Sequence, residues 1–211
     1  MKNKKIDNKV AQKVIDLGKL VLQFARVDRI TLHEDGKTLE SDTDHTVMLS
    51  LIACSIAADY KKELNLGLVA QFALVHDLVE VYAGDTPHLH GTALGKGDKR
   101  MLDKDKREKK ALKRIKKEFG GTFSWLHTTI EKYEKLNTKE ARFIKVLDKA
   151  MPKLTHYING VKVLKKYGYS KEMSKMGFEK QISDISKTYG SDQKEAIEIM
   201  KLLAKKALSA F

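Results

Sequence analysis

Apolar positions recur at helical spacing along most of the chain. Ile6, Val10, Val14, Leu17, Val21 and Phe24 mark one face of a first helix over 5–25. A second helix is predicted from about Asp44 to Lys61, capped by Ser41-Asp42-Thr43. Its Val47, Leu51, Cys54, Ile56 and Ala58 make it apolar on most sides, so it is expected to be central. A third spans about Leu66 to Val81, and the short polar turn between them, Tyr60 to Asn65, suits antiparallel neighbours. A charge-laden fourth helix, Leu102 to Phe119, keeps a thin stripe of Leu112, Ile115 and Phe119 and ends at Gly120-Gly121. A fifth covers Thr122 to Leu136. A sixth starts near Thr138 and continues past Asp148 toward Tyr167, with Pro152 a candidate kink. Gly168 to Gly190 reads as two or three short helical pieces, and an amphipathic helix from Gln193 to Leu208 closes the chain. Two stretches read as loops: Arg26 to Glu40, expected to carry function, and the glycine-rich His88 to Lys99, expected to be mobile. The pattern predicts an all-α bundle.

With 211 residues the chain is expected to form one domain, and its two prolines, Pro87 and Pro152, favour helix throughout. A net charge of +13 points toward polyanions. The lysines are interleaved with Glu and Asp, however, as on a solvated surface, and no nucleic-acid motif accompanies them, so a nucleic-acid partner is not expected. The lone Cys54 in an apolar pattern fits a reducing compartment. The longest apolar run, Val47 to Ala58, is too short for a bilayer, and no long apolar segment follows the basic first residues. A cytoplasmic protein without a membrane partner is expected.

Chemistry concentrates after an apolar run, Leu68 to Val75, that ends in His76-Asp77. Charge so placed is costly unless paired or bound to a cation. On a helix, Glu80 shares the face of His76 and Asp77, and Gly84 then breaks the helix to leave Asp85 on a turn beside that face. Antiparallel packing of the second and third helices brings His45 to the same end. Asp148 follows Phe143, Ile144, Val146 and Leu147, where an aspartate needs a neutralising partner, and Lys145 shares its face. His45, His76, Asp77 and Asp148 supply two imidazoles and two carboxylates, suited to one divalent transition metal such as Zn, Mn, Co or Fe. Glu80 is the spare carboxylate that can handle the proton of an activated water. Trp125, near Phe119 and Phe123, reads as core, and His88 and His90 as exposed loop residues.

This arrangement, His45, then His76-Asp77, then Asp148, resembles the H…HD…D signature of the HD-domain metal-dependent phosphohydrolases. Glu80, the Gly84-Asp85-Thr86-Pro87 turn, the Arg26-Val27-Asp28-Arg29 segment, the Glu40…Asp44-His45 approach and the Lys145…Asp148 spacing are similar to the 5′-deoxynucleotidase branch. The resemblance spans about 24–154 and leaves 155–211 as a helical extension. It implies an HD-domain helical bundle that binds one divalent metal through His45, His76, Asp77 and Asp148 and releases phosphate from nucleoside 5′-monophosphates. By the same resemblance Glu80 positions or deprotonates water, Asp85 holds the sugar 3′-hydroxyl, Arg29 and Lys145 hold phosphate, and the protein is a homodimer. Relatives instead release triphosphate from deoxynucleotides, and the lysine-rich 96–117 could serve a longer phosphate chain. The reading from another class is a basic helical module that binds nucleic acid without catalysis. One departure stands out: the family commonly carries a tryptophan shortly after the arginine, and this chain has Arg29-Ile30-Thr31-Leu32.

Overall fold

The computed structural model describes residues 5–86 and 103–211. Pro87, the glycine-rich stretch with His88 and His90, and the start of the predicted fourth helix lie outside the described residues. The described residues are all-α apart from one hairpin. Helix α1 (Asn8–Phe24) is followed by β1 (Asp28–Leu32) and β2 (Leu39–Ser41), then by α2 (Asp42–Tyr60), α3 (Leu66–Val75) and the short α4 (Glu80–Ala83). After the undescribed stretch come α5 (Lys104–Phe119), α6 (Ser124–Glu134), α7 (Lys139–Ile158), α8 (Lys162–Lys166), α9 (Lys171–Tyr189) and α10 (Lys194–Ser209).

Helix α7 is the axis. Phe143, Ile144, Val146, Leu147, Ala150 and Met151 are all fully buried, because α7 packs against α2, α3 and most extensively α10. Leu49, Ala53 and Ala57 of α2, Val69, Phe72 and Ala73 of α3, and Ala196, Ile197 and Met200 of α10 complete this core. A second cluster joins Leu20 and Phe24 of α1 to Val75, Leu78 and Val79, and to Ala111, Ile115 and Phe119 of α5.

Several expectations are corrected. The segment Arg26 to Glu40 is not a loop but an antiparallel hairpin, with Asp28 opposite Ser41 and Leu32 opposite Leu39. Its turn is closed by the Asp35 carboxylate, which accepts from the Lys37 and Thr38 amides, with Gly36 at φ 64°. The second helix begins at Asp42 with Ser41 as cap, in a reciprocal box with Asp44. Val47, Leu51 and Ala58 face solvent, because the buried stripe is His45, Leu49, Ala53 and Ala57. In α1 the docked residues are Leu20 and Phe24, while Ile6, Val14 and Val21 are exposed. The third helix ends at Val75, six residues short of its expected end. Leu78 and Glu80 donate to carbonyls only three residues back, at Val75 and Asp77, so the helix tightens through 76–79 before α4. The sixth runs through Pro152 but ends at Ile158, where Gly160 (φ 65°) and Val161 (φ 55°) turn left-handed. The stretch expected as short pieces is one nineteen-residue helix, α9. Trp125 is 42% exposed and donates to Gln71.

Candidate metal centre

Four side chains from three elements converge. His45 lies in the first turn of α2, held there by the Ser41–Asp44 capping box. His76 and Asp77 sit on the tightened turn after α3, and Asp148 lies midway along α7. One ligand atom from each lies within 4.8 Å of the others. His45 Nε2 is 3.2 Å from Asp148 Oδ1 and 3.9 Å from Asp77 Oδ2. His76 Nε2 is 3.0 Å from Asp77 Oδ2 and 3.9 Å from Asp148 Oδ1. Donors bound to one cation at about 2.0–2.2 Å stand about 3–4 Å apart, so the spacing suits a shared ion.

The protonation pattern points the same way. His76 Nδ1 faces the Ala73 carbonyl at 2.8 Å, and a carbonyl only accepts, so Nδ1 carries a proton. Buried Nε2 makes no hydrogen bond although Asp77 is beside it. An unprotonated Nε2 would turn its lone pair on the carboxylate; a proton on that nitrogen, or a metal ion between the two, relieves the conflict. On His45, Nδ1 is turned toward Glu40 Oε1 at 3.5 Å, and Thr31 in turn donates to Glu40. A carboxylate behind the ring leaves Nε2 toward the shared point, the usual way a protein orients a ligating imidazole. Burial and Arg29 press the His45 pKa down, yet the Asp148 and Glu40 carboxylates prevail and raise it to about 9. Without a metal that ring holds a proton, and a metal would displace it.

Carboxylates crowd the surroundings. Buried Asp42 and Glu80 each bring an oxygen within 4.8 Å of Asp77. Burial, then Asp77, Asp42 and Asp85, push Glu80 well above the ordinary range, with Lys104 opposing at 3.7 Å. Asp42 rises to about 6 through burial, against Arg29, with Asp77 adding to the rise. Asp85 is also raised, first by burial. Asp77 and Asp148 go the other way: burial would raise both, but His76 and Arg29 beside Asp77, and Lys149 and His45 beside Asp148, hold them low. Arg29 bridges Asp42 at 2.9 Å and Asp77 at 3.1 Å, and Lys149 pairs with Asp148 at 2.9 Å.

All eight residues expected at the site except His45 line one open cavity, and His45 lies behind its wall against His76, with ring centroids 5.2 Å apart. Lys145 lines it too, but the cation that contacts Asp148 is Lys149. Sequence reasoning missed Asp42 and Lys149, gave Glu40 only a place in the resemblance, and included Lys104 only within the lysine-rich 96–117.

A model of the HD domain family matches residues 23–189, which carries the match beyond Leu154 and through α9. Among solved structures, a predicted metal-dependent phosphohydrolase from Magnetospirillum magnetotacticum MS-1 aligns with a TM-score of 0.70 at 23% identity, covering 94% of this chain and 96% of that one. A conserved hypothetical protein from Pyrococcus furiosus aligns at 0.57 and 24% identity, covering 89% and 98%. At these identities the likeness is one of fold. No curated protein matches the chain.

Proposed function

The chain belongs to the HD domain family, and from that premise we propose that it is a metal-dependent phosphohydrolase that releases phosphate from (deoxy)nucleoside 5′-monophosphates. One observation carries the reading: two imidazoles and two carboxylates meet at a point flanked by buried Glu80 and by cations on the same cavity wall. The Magnetospirillum protein that shares the fold is itself named a predicted metal-dependent phosphohydrolase.

His45, His76, Asp77 and Asp148 would hold the ion. Bound there, a divalent metal lowers the pKa of a water and polarises the phosphoryl oxygen. Glu80 takes the proton of the attacking water. Burial and the neighbouring carboxylates raise the Glu80 pKa in the metal-free site; a bound cation's charge would lower it toward that of a base able to accept the proton and return it to the departing 5′-oxygen. Arg29, Lys145 and Lys149 offset charge on the non-bridging oxygens. Asp85, on the turn after α4, accepts from the sugar 3′-hydroxyl.

The test is phosphate release from deoxy- and ribonucleoside 5′-monophosphates with Mn²⁺, Co²⁺ or Zn²⁺. No release from any of them with any metal would end the reading. A second reading, triphosphate release from deoxynucleoside triphosphates, draws on Lys104, a further cation on the cavity wall. Chromatography of the products, phosphate against triphosphate, separates the two.

A further inference from the structure

The cavity does not stop at the metal centre. From Asp148 it continues along α7 past Pro152 and Lys153 to His156, eight residues on, or about 12 Å of helix. That distance is on the scale of a phosphate and the far edge of an attached heterocycle. Its far wall is α9, with Ser174, Phe178 and Gln181, and its floor is Leu164 and Tyr169. Two polar groups there lack hydrogen-bond partners among the described residues. Ser174 is 2% exposed and its hydroxyl makes no hydrogen bond; His156 is 4% exposed and its Nδ1 makes none. Buried polar atoms in native proteins nearly always have a partner, so a ligand group or a water is expected against each of these two, and both line the cavity. The hydroxyl can donate or accept. So can the imidazole, which is neutral because burial and Lys153 lower its pKa to about 4. The Lys153 amine donates to Gln181 Oε1 and to the Lys149 carbonyl, which fixes the face of the Gln181 amide, and it stands 5.1 Å from the Phe178 ring centre.

An acyl chain would leave these polar atoms unpaired, and a bare sugar would not use the Phe178, Tyr169 and Leu164 walls. A flat heterocycle with apolar faces and a polar edge uses both. We propose that this compartment, built from His156 on α7 and Ser174 and Phe178 on α9, seats the nucleobase of the substrate and makes α9 the element that selects it. The inference rests on the phosphohydrolase reading for what occupies the metal end.

Binding tests it without turnover. The Mn²⁺-loaded protein is titrated calorimetrically with each of the four 2′-deoxynucleosides and, separately, with inorganic phosphate. At least one deoxynucleoside is expected to bind. Phe178→Ala should weaken that binding at least about tenfold through lost stacking. Ser174→Ala should weaken it about threefold to tenfold. Both should bind phosphate as wild type does. The compartment is refuted if no deoxynucleoside binds, if neither variant changes the affinity, or if phosphate weakens in step with the nucleosides. Phe178 also packs against the cluster of Val161, Leu164 and Tyr169, so if Phe178→Ala loses its cooperative melting transition, Ser174→Ala decides alone. Nucleoside binding without phosphate release from any monophosphate would sink the hydrolase reading and keep the compartment. Phosphate release without nucleoside binding would do the reverse.

Discussion

The two ends of the cavity solve the problem of buried polar groups in opposite ways. At the metal end nearly every charge faces another: Arg29 against Asp42 and Asp77, Lys149 against Asp148, Glu40 behind His45. At the α9 end, among the described residues, no carboxylate pairs with Lys153, and the Ser174 hydroxyl and His156 Nδ1 make no hydrogen bond. Dense pairing fixes ligand positions before any ion arrives, which is what a metal centre needs. Unmatched neutral groups leave hydrogen-bonding capacity for an organic ligand. One end is built to hold, the other to choose.

The sharpest way to break that contrast is at the ligands. Asp77→Ala removes both a donor and the partner of Arg29 and His76. It should abolish stoichiometric metal binding, read by plasma mass spectrometry, and cut phosphate release by about 10³-fold or more. A variant that keeps its metal and its turnover would show that the convergence is only structural. Glu80→Gln should separate binding from chemistry, with metal content unchanged and kcat down about 10²–10⁴-fold. Normal turnover in that variant would remove Glu80 from the mechanism.

A subtler probe sits one layer back. Glu40 touches no point the ion would occupy, yet it stands 3.5 Å from His45 Nδ1. Glu40→Gln should weaken metal affinity about 10–100-fold while the loaded enzyme turns over near the wild-type rate. Unchanged affinity would mean that the α2 cap alone orients His45.

What the sequence made legible follows the same divide. His76-Asp77 at the end of an apolar run and Asp148 inside another are anomalies that buried charge makes visible. Asp42 was hidden because it lies in a cap sequence, Ser41-Asp42-Thr43, that already explains a polar residue; only the fold shows it fully buried against Arg29. The hairpin that delivers Arg29 did leave a signal, Asp35-Gly36 between Ile30, Leu32 and Leu39, the usual mark of a tight strand turn. Lys149 lost to Lys145 because spacing on one helix favours i, i+3, whereas the cation that reaches Asp148 is its neighbour. Helix α9 gave no clear stripe: Ser174 is its one buried residue, and Met173 and Met176 are exposed. Its apolar side faces a cavity as well as a core, and a cavity wall leaves no strong periodicity.

The smallest expected effect tests the choosing end through stability. Burial, then Lys149, lowers the Lys153 pKa from 10.5 to about 7, with Asp148 opposing weakly. Between about pH 7 and 10.5 the unfolded chain therefore binds a proton here that the folded chain does not, so folding stability rises with pH across that window. Below about 7 both states are protonated, and the full penalty of about 3–5 kcal/mol is present. Lys153→Met removes that penalty but also the hydrogen bonds to the Lys149 carbonyl and Gln181, each worth about 1 kcal/mol. The net expectation is a gain of about 1–3 kcal/mol at pH 6, shrinking and then reversing as pH climbs toward 10. Melting temperatures of both proteins from pH 6 to 10 decide it. Parallel curves would mean that Lys153 stays charged when folded, with a counter-charge close by, and the contrast between the two ends would be one of degree.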